Sequence, residues 1–144
     1  MGQAHHSPRL ALIVEDDPGV RDLAAALLEE TSLEVVEVES AEAALIFMQQ
    51  RGGEVALVFA DVRLSGAMDG LQMARAICQL WPTVKVVVTS GDPAVDIDGL
   101  PPCATFMAKP WRALDVLVEA ERALVEATAP MPAPLPQQWQ VPSH

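Results

Sequence analysis

The chain has 144 residues, 51% of them hydrophobic, with 20 acidic and 9 basic side chains. This length suits one domain with a single core, and the hydrophobic content excludes a disordered chain. The net charge of −11 argues against non-specific binding of nucleic acid, which depends on Lys and Arg side chains that neutralise phosphates. The apolar runs are short and interrupted by charges, so no segment is predicted to cross a membrane.

The two ends of the chain differ in composition from its middle. Residues 1–9 are polar and lack the apolar core of a signal peptide, which predicts a cytoplasmic location. Residues 129–144 contain five prolines, a composition typical of polyproline-like or disordered tails. We therefore expect a flexible N-terminus at 1–8, one domain at 9–128, a disordered proline-rich tail at 129–144, and no output domain after the last helix.

Strand and helix patterns alternate along the chain. Short apolar runs at 10–14, 55–60, 84–88 and 105–108 predict strands buried on both faces of a parallel sheet. Residues 33–38 alternate apolar and acidic side chains, as an edge strand does. Asp17 and Ser40 are placed to cap helices, with Pro18 at a first helical position. The side chains expected to face inward on the first and last helices are Val20, Leu23, Ala24, Leu27 and Leu28, and Leu114, Leu117, Val118, Leu124 and Val125.

One helix of the alternating pattern is weak. Residues 90–103 contain two glycines and three prolines, which leave room for about one helical turn. The sequence therefore predicts a shortened or irregular fourth helix. The two cysteines, Cys78 and Cys103, have neither CxxC nor Cys/His spacing, so we expect separate buried side chains and not a zinc site or a redox pair.

Alternating strands and helices imply a doubly wound α/β fold, a parallel sheet with helices on both faces. In such folds the functional site lies beyond the carboxyl ends of the strands. Here those ends carry polar side chains, namely Glu15, Asp16, Asp61, Thr89, Ser90 and Lys109.

This set of residue types suits phosphoryl chemistry. Crowded carboxylates require a compensating cation, and Mg²⁺ prefers oxygen ligands while keeping several waters. Asp61 is the expected nucleophile, because carboxylates form aspartyl-phosphate intermediates. Lys109, the Thr89 hydroxyl and the backbone amides of Val62 and Ser90 are expected to contact the phosphoryl oxygens.

The sequence resembles the receiver domain of two-component response regulators over about residues 10–128. The stretches that carry the resemblance are 13–18 (IVEDDP), 57–64 (LVFADVRL), 68–71 (MDGL), 86–91 (VVVTSG) and 106–110 (FMAKP). Their order and spacing together are specific, and stand-alone receivers are the most similar subset. The resemblance implies a flavodoxin-like five-stranded sheet of order 2-1-3-4-5.

The resemblance also implies roles for individual residues. It implies that a histidine kinase, or a histidine phosphotransfer protein, phosphorylates Asp61 and that an unknown downstream protein reads the result. It implies Mg²⁺ bound by Asp16, Asp61 and the backbone carbonyl of Arg63, with Glu15 acting through water. Thr89 and Phe106 correspond to the family's switch pair, and the Lys109–Pro110 bond is expected to be cis.

Two departures and two alternatives accompany this interpretation. The loop from Asp61 to Gly70 is one position longer than expected for the family, with Ser65 where a proline is common, and the fourth helix is shortened. The chain could instead be a small phosphotransferase with an aspartyl-phosphate intermediate, but Arg63 occupies the position of that class's second carboxylate. It could also be a receiver-like interaction module, which retention of the full set of site residues disfavours.

Overall fold

The computed structural model describes residues 9–95 and 97–128. Its strands are β1 (Leu10–Val14), β2 (Glu34–Val38), β3 (Val55–Asp61), β4 (Lys85–Ser90) and β5 (Ala104–Ala108). They form one parallel sheet in the order β2-β1-β3-β4-β5. The predicted flavodoxin-like α/β fold and its strand order are therefore confirmed.

Helices cover both faces of this sheet. In the described part of the chain they are α1 (Pro18–Leu28), α2 (Ala41–Arg51), α3 (Gly70–Leu80) and α4 (Ala113–Thr128), with 3₁₀ turns at Gly52–Glu54 and Ile97–Gly99. One core cluster joins the sheet to α2 and α3, and a second joins it to α1 and α4. All side chains of β1 are buried because both clusters enclose it, whereas Glu34 and Glu37 of β2 point to solvent at the sheet edge.

Helix starts follow the capping residues that the sequence indicated. The Asp17 carboxylate accepts from the Gly19 amide at 2.9 Å and the Val20 amide at 3.2 Å, and Pro18 begins α1. Ser40 caps α2 by accepting from the Ala43 amide at 3.1 Å. These caps fix where each helix leaves the strand end before it.

The inward face of α4 differs from the predicted one. Leu114, Val118 and Val125 are 70%, 39% and 63% exposed, whereas the side chains of Val116, Ala120 and Ala123 are buried. On α1, similarly, Leu23 is 55% exposed and Ala24 and Leu28 are buried. Ala24, Ala120 and Ala123 are among the inward residues, and α1 and α4 pack against each other as well as against the sheet.

The inward face of α4 also carries a charge. Glu119 is 8% exposed, and its carboxylate lies 3.3 Å from the Lys85 ammonium at the start of β4. Arg122 approaches the same carboxylate at 3.3 Å. Glu119 can occupy a buried position because these cations compensate its charge.

The connection between β4 and β5 contains the 3₁₀ turn Ile97–Gly99 where a regular helix would otherwise lie. This confirms the predicted irregular fourth helix, since prolines and glycines interrupt the backbone hydrogen bonds of an α-helix. Val95 and Leu100 pack on the core cluster under α3 and anchor the connection to the sheet.

Cys78 and Cys103 are joined by a disulfide bond, so the expectation of two separate thiols was wrong. Their Cα atoms are 5.7 Å apart, within the usual range for a disulfide. Cys78 lies on α3 and Cys103 directly precedes β5, at a sequence separation of 25. Packing of the β4–β5 connection against α3 brings them together, and no local spacing in the sequence signals it.

The predicted N-terminal segment 1–8 and proline-rich tail 129–144 lie outside the described residues. The division of the chain into these segments and one domain thus stays a prediction at both ends. Within the ranges that the structure describes, no helix combines the length and apolar content that crossing a bilayer requires.

Candidate functional site

The predicted site residues Glu15, Asp61 and Lys109 meet at the carboxyl edge of the sheet. Glu15 follows β1, Asp61 ends β3 and Lys109 follows β5. The Lys109 ammonium donates to Asp61 Oδ2 at 2.7 Å and lies 3.4 Å from Glu15 Oε1. One cation therefore bridges two carboxylates that come from different strands.

Glu15 is held in place by the start of α1. Its side chain is 6% exposed, and Oε2 accepts from the Asp17 amide at 3.1 Å. Burial raises the pKa of the Glu15 carboxyl above its ordinary value of 4.5, and the Asp61 charge adds to this effect. The Asp17 amide and Lys109 offset part of the shift. A carboxylate at this position is thus retained at an electrostatic cost.

For Lys109, neighbouring charges outweigh burial in setting the pKa of the side chain. Burial by itself lowers the pKa of its ammonium group, but hydrogen bonds and charges from Asp61 and Glu15 outweigh burial and raise the pKa above 10.5. Lys109 therefore stays protonated at neutral pH. The peptide bond between Lys109 and Pro110 is cis.

The backbone around Asp61 differs from the expectation in one respect. The Val62 amide, expected to face a phosphoryl group, instead donates to the Thr89 carbonyl at 2.9 Å and extends the pairing of β3 with β4. The amide beside the Asp61 carboxylate is that of Arg63, at 3.0 Å from Oδ1. An aspartate commonly accepts from the amide two residues later, and this rule is the signal that could have identified Arg63.

Asp16 is linked to the loop that follows Asp61. Asp16 Oδ2 accepts from the Ser65 amide at 3.1 Å. A proline at position 65 could not make this bond, so the serine found there contributes a donor. The same loop is held further along by the Met68 amide, which donates to Glu42 Oε2 at 3.1 Å. Gly66 adopts a φ of 108° in this loop, a backbone conformation that glycine takes without strain.

The oxygen donors at this edge fit Mg²⁺. Among residues 9–95 and 97–128, no three His, Cys, Asp or Glu side chains are gathered tightly enough to hold a metal by themselves. Mg²⁺ does not need such a cage, since it commonly binds through one or two carboxylates and keeps several waters. The carboxylates of Asp16 and Asp61 both accept hydrogen bonds from backbone amides of residues 63–65, so the two expected ligands contact the same loop.

A cavity of about 430 Å³ opens beside Asp61 and Lys109. Arg63 and Asp92 line it together with Ser90 and Gly91, and the Arg63 guanidinium forms an ion pair with the Asp92 carboxylate across it. The Ala94 amide and Arg63 lower the pKa of Asp92 below 3.8. Asp92 was not identified from the sequence because its partner is 29 positions away.

Thr89 and Ser90 end β4 next to Asp61, and both are buried. Thr89 is paired in register with Asp61 on one side and Met107 on the other, whereas Phe106 is paired with Val88. Because successive side chains of a strand point to opposite faces, the side chains of Thr89 and Phe106 lie on opposite faces of the sheet. Phe106 lines a cavity of about 200 Å³ under the β4–β5 connection.

Comparison with known proteins identifies this arrangement. The profile for the family described as "Response regulator receiver domain" matches residues 11–118. The chain belongs to this family. Receiver domains act in two-component signalling, and magnesium and phosphoaspartate are general features of the family.

Individual receiver domains are similar over most of this chain. The nitrogen assimilation regulatory protein NtrX of Azorhizobium caulinodans is 32% identical over 117 residues, covering 78% of this chain and 25% of NtrX. The response regulator receiver protein CpdR of Brucella abortus is 26% identical over 119 residues, covering 81% of this chain and 97% of CpdR. The crystal structure of the NtrX receiver domain from Brucella abortus has 32% identity and a TM-score of 0.67, and the match covers 79% of this chain and 97% of that one.

Gly70 sets how closely α3 approaches the receiver site. Its amide donates to the Val62 carbonyl at 2.8 Å, and a Cβ atom at this position would lie 2.0 Å from the Asp61 carbonyl oxygen. The clash is with backbone, so it cannot be relieved by a rotamer change.

We expect Gly70→Ala to lower the free energy of unfolding by about 3 kcal/mol, because the added methyl displaces the strand end that carries Asp61. Urea denaturation measures this change. Gly53→Ala is the matched control, because no atom lies within 4 Å of its Cβ position. A Gly70→Ala protein as stable as Gly53→Ala would contradict the close approach.

The raised pKa of Glu15 predicts a pH dependence of stability without metal. Its contribution to stability is fully present below pH 4.5 and is lost as the pH rises through the higher folded-state value. Glu15→Gln keeps an acceptor for Asp17 and removes this loss. In a metal chelator, the variant should therefore gain stability relative to the wild type as the pH rises from 4.5 toward neutral.

Denaturation midpoints across this pH range measure the difference. Glu30→Gln makes the same chemical change at an exposed site beyond the other end of α1 and serves as the control. Parallel pH profiles for Glu15→Gln and the wild type would show that the Glu15 carboxyl carries no electrostatic cost.

Proposed function

We propose that Asp61 accepts a phosphoryl group from a phosphohistidine of a histidine kinase or histidine phosphotransfer protein, in a Mg²⁺-dependent reaction. The chain then acts as a phosphorylation switch or as a phosphate sink in two-component signalling. The observation that carries the proposal is the position of the Asp61 carboxylate, 2.7 Å from a protonated Lys109 and beside a cavity of about 430 Å³.

The reaction follows from the groups around Asp61. A carboxylate oxygen of Asp61 attacks the phosphorus, the bond from phosphorus to the histidine nitrogen breaks, and that nitrogen keeps the electron pair and takes up a proton. Mg²⁺, held by Asp16, Asp61 and the Arg63 carbonyl with Glu15 acting through water, would supply positive charge to the phosphoryl oxygens. Lys109 and the Arg63 amide provide donors at the same carboxylate.

Thr89 and Ser90 suit contact with the transferred group. Both lie at the strand end beside Asp61, and their burial limits the reach of water. An inward shift of the Thr89 hydroxyl toward the phosphoryl group would disturb the end of β4, next to the cavity that Phe106 lines. The proposed switch therefore couples β4 to β5. Phe106 has no hydroxyl, and its part in the switch is therefore packing.

The phosphoryl donor is proposed to dock beside Lys109. Val20, Leu23, Pro110 and Trp111 line an apolar cavity of about 330 Å³ that also includes Lys109. An apolar contact there would bring a phosphohistidine next to Asp61.

We propose a cytoplasmic location, where kinases of this class act, with no nucleic acid or membrane among the partners. The phosphotransferase alternative lacks support, since Arg63 pairs with Asp92 and supplies no acid.

The phosphorylation site is tested with acetyl phosphate and Mg²⁺. Intact mass should show one added phosphoryl group that is labile to hydroxylamine, and Asp61→Asn should abolish it because an amide is not nucleophilic enough to attack phosphorus. Asp69→Asn is the matched control, since asparagine also caps a helix and Asp69 is the exposed cap of α3. Labelling of another residue in Asp61→Asn would sink the proposal.

Lys109→Ala separates charge compensation from metal binding. Removing the ammonium should slow phosphorylation by about 100-fold, because a donor to the transferred group is lost. Mg²⁺ binding should be unchanged or tighter, since a competing cation leaves the carboxylates. Calorimetric titration and acetyl phosphate kinetics measure the two effects. Arg112→Ala removes an exposed cation nearby in sequence and should change neither the phosphorylation rate nor Mg²⁺ binding. Loss of Mg²⁺ binding in Lys109→Ala would show that the role assigned to Lys109 is wrong.

A further inference from the structure

Cys78 and Cys103 connect two parts of the molecule that the phosphorylation chemistry does not use directly. Cys78 lies on α3, and Cys103 ends the connection, residues 91–103, that leads from β4 to β5. The Cα separation of 5.7 Å allows a disulfide without movement of the backbone. The bond therefore tethers the last residue of the connection to a helix.

The connection that this bond tethers has little regular secondary structure among its described residues. Its regular structure is a single 3₁₀ turn, Ile97–Gly99, in the residues that the structure describes. Val95 and Leu100 anchor it by packing on the core, and the Val95 amide donates to the Asp92 carbonyl at 3.3 Å. Segments with little regular secondary structure open at lower free energy than core helices and strands, so a covalent link to a helix restrains such a segment.

The first residues of the same connection form a wall of the phosphorylation site. Gly91 and Asp92 line the cavity beside Asp61, and Asp92 pairs with Arg63 across it. Pro93 and Val95 line the second cavity, together with Phe106. The connection thus runs from the phosphoryl pocket at one end to the thiols at the other.

We propose that Cys78 and Cys103 form a reversible thiol–disulfide pair whose oxidation restrains the 91–103 connection and slows phosphorylation of Asp61. This inference rests on the proposed function and on its cytoplasmic location. Disulfides in reducing compartments are usually transient or redox-sensing and not permanent staples. Cys103 is partly exposed and Cys78 is 9% exposed, so Cys103 is the thiol that an oxidant reaches first.

The oxidant is a peroxide or a small-molecule disulfide. With hydrogen peroxide, the Cys103 thiolate attacks an oxygen, the O–O bond breaks and a sulfenic acid forms with release of water. The Cys78 thiolate then attacks the Cys103 sulfur, the S–O bond breaks and a second water leaves, so that two thiols are oxidised and one peroxide is reduced. A dithiol reverses the bond by exchange through a mixed disulfide.

The full-length chain is compared after reduction with dithiothreitol and after oxidation with either hydrogen peroxide or glutathione disulfide. The second oxidant is needed because peroxide also oxidises methionine, and the chain has six. Alkylation followed by intact mass counts free thiols, which should be two in the reduced protein and none in the oxidised one. Hydrogen exchange of residues 91–103, with α1 as internal reference, and acetyl phosphate kinetics with Mg²⁺ complete the comparison.

Reduction should speed exchange in the connection by about tenfold. It should speed phosphorylation by about fivefold, a typical size for coupling between two sites. Cys103→Ser, and Cys78→Ala/Cys103→Ala as a second variant that suits the buried position of Cys78, should behave like the reduced protein whether or not oxidant is present.

Three results would overturn the proposal. These are formation of intermolecular or glutathione-mixed disulfides in place of the internal bond, equal phosphorylation rates in the oxidised and reduced proteins, and a redox response that persists in Cys103→Ser. A chain that takes no phosphoryl group in either state would instead refute the function proposed for Asp61. In that case thiol counting and hydrogen exchange would still decide whether the pair forms and restrains the connection.

Discussion

Compensation of carboxylate charge at one edge of the sheet is the constraint on which the site depends. Lys109 contacts Asp61 at 2.7 Å and Glu15 at 3.4 Å, and both carboxyl groups are largely removed from water. Burial alone would favour the neutral form of Glu15, so the cation and the Asp17 amide are needed to keep the edge charged. The same excess of negative oxygen atoms explains why Mg²⁺ chemistry and a dianionic phosphoryl group suit this edge.

The site combines rigid strand ends with two adjustable loops. Asp61 is fixed by β3, which is buried on both faces and whose end is crossed closely by α3 at Gly70. The loops on either side are held by polar contacts, among them those from Ser65 to Asp16 and from Arg63 to Asp92. A fixed nucleophile beside loops that polar contacts hold is an arrangement in which adding one charged group can shift a conformational equilibrium.

Sequence patterns were sufficient wherever a local rule governed the structure. Buried apolar runs identified the strands, and Asp17 and Ser40 capped the helices as expected. The helix breakers between β4 and β5 predicted a shortened or irregular helix, and a 3₁₀ turn lies there. The topology of a parallel sheet then placed Glu15, Asp61 and Lys109 at one edge without knowledge of any contact. These features follow from periodicity and backbone geometry, which are properties of short segments.

The sequence by itself therefore determined the fold class and the edge where chemistry is expected. Only the tertiary structure decided which side of α4 faces the core, since the periodicity of its leucines did not reveal that close packing favours Ala120 and Ala123. It also decided the Arg63–Asp92 pair and the Cys78–Cys103 bond. These contacts join residues 29 and 25 positions apart, and such distances become short only after the sheet has brought their segments together.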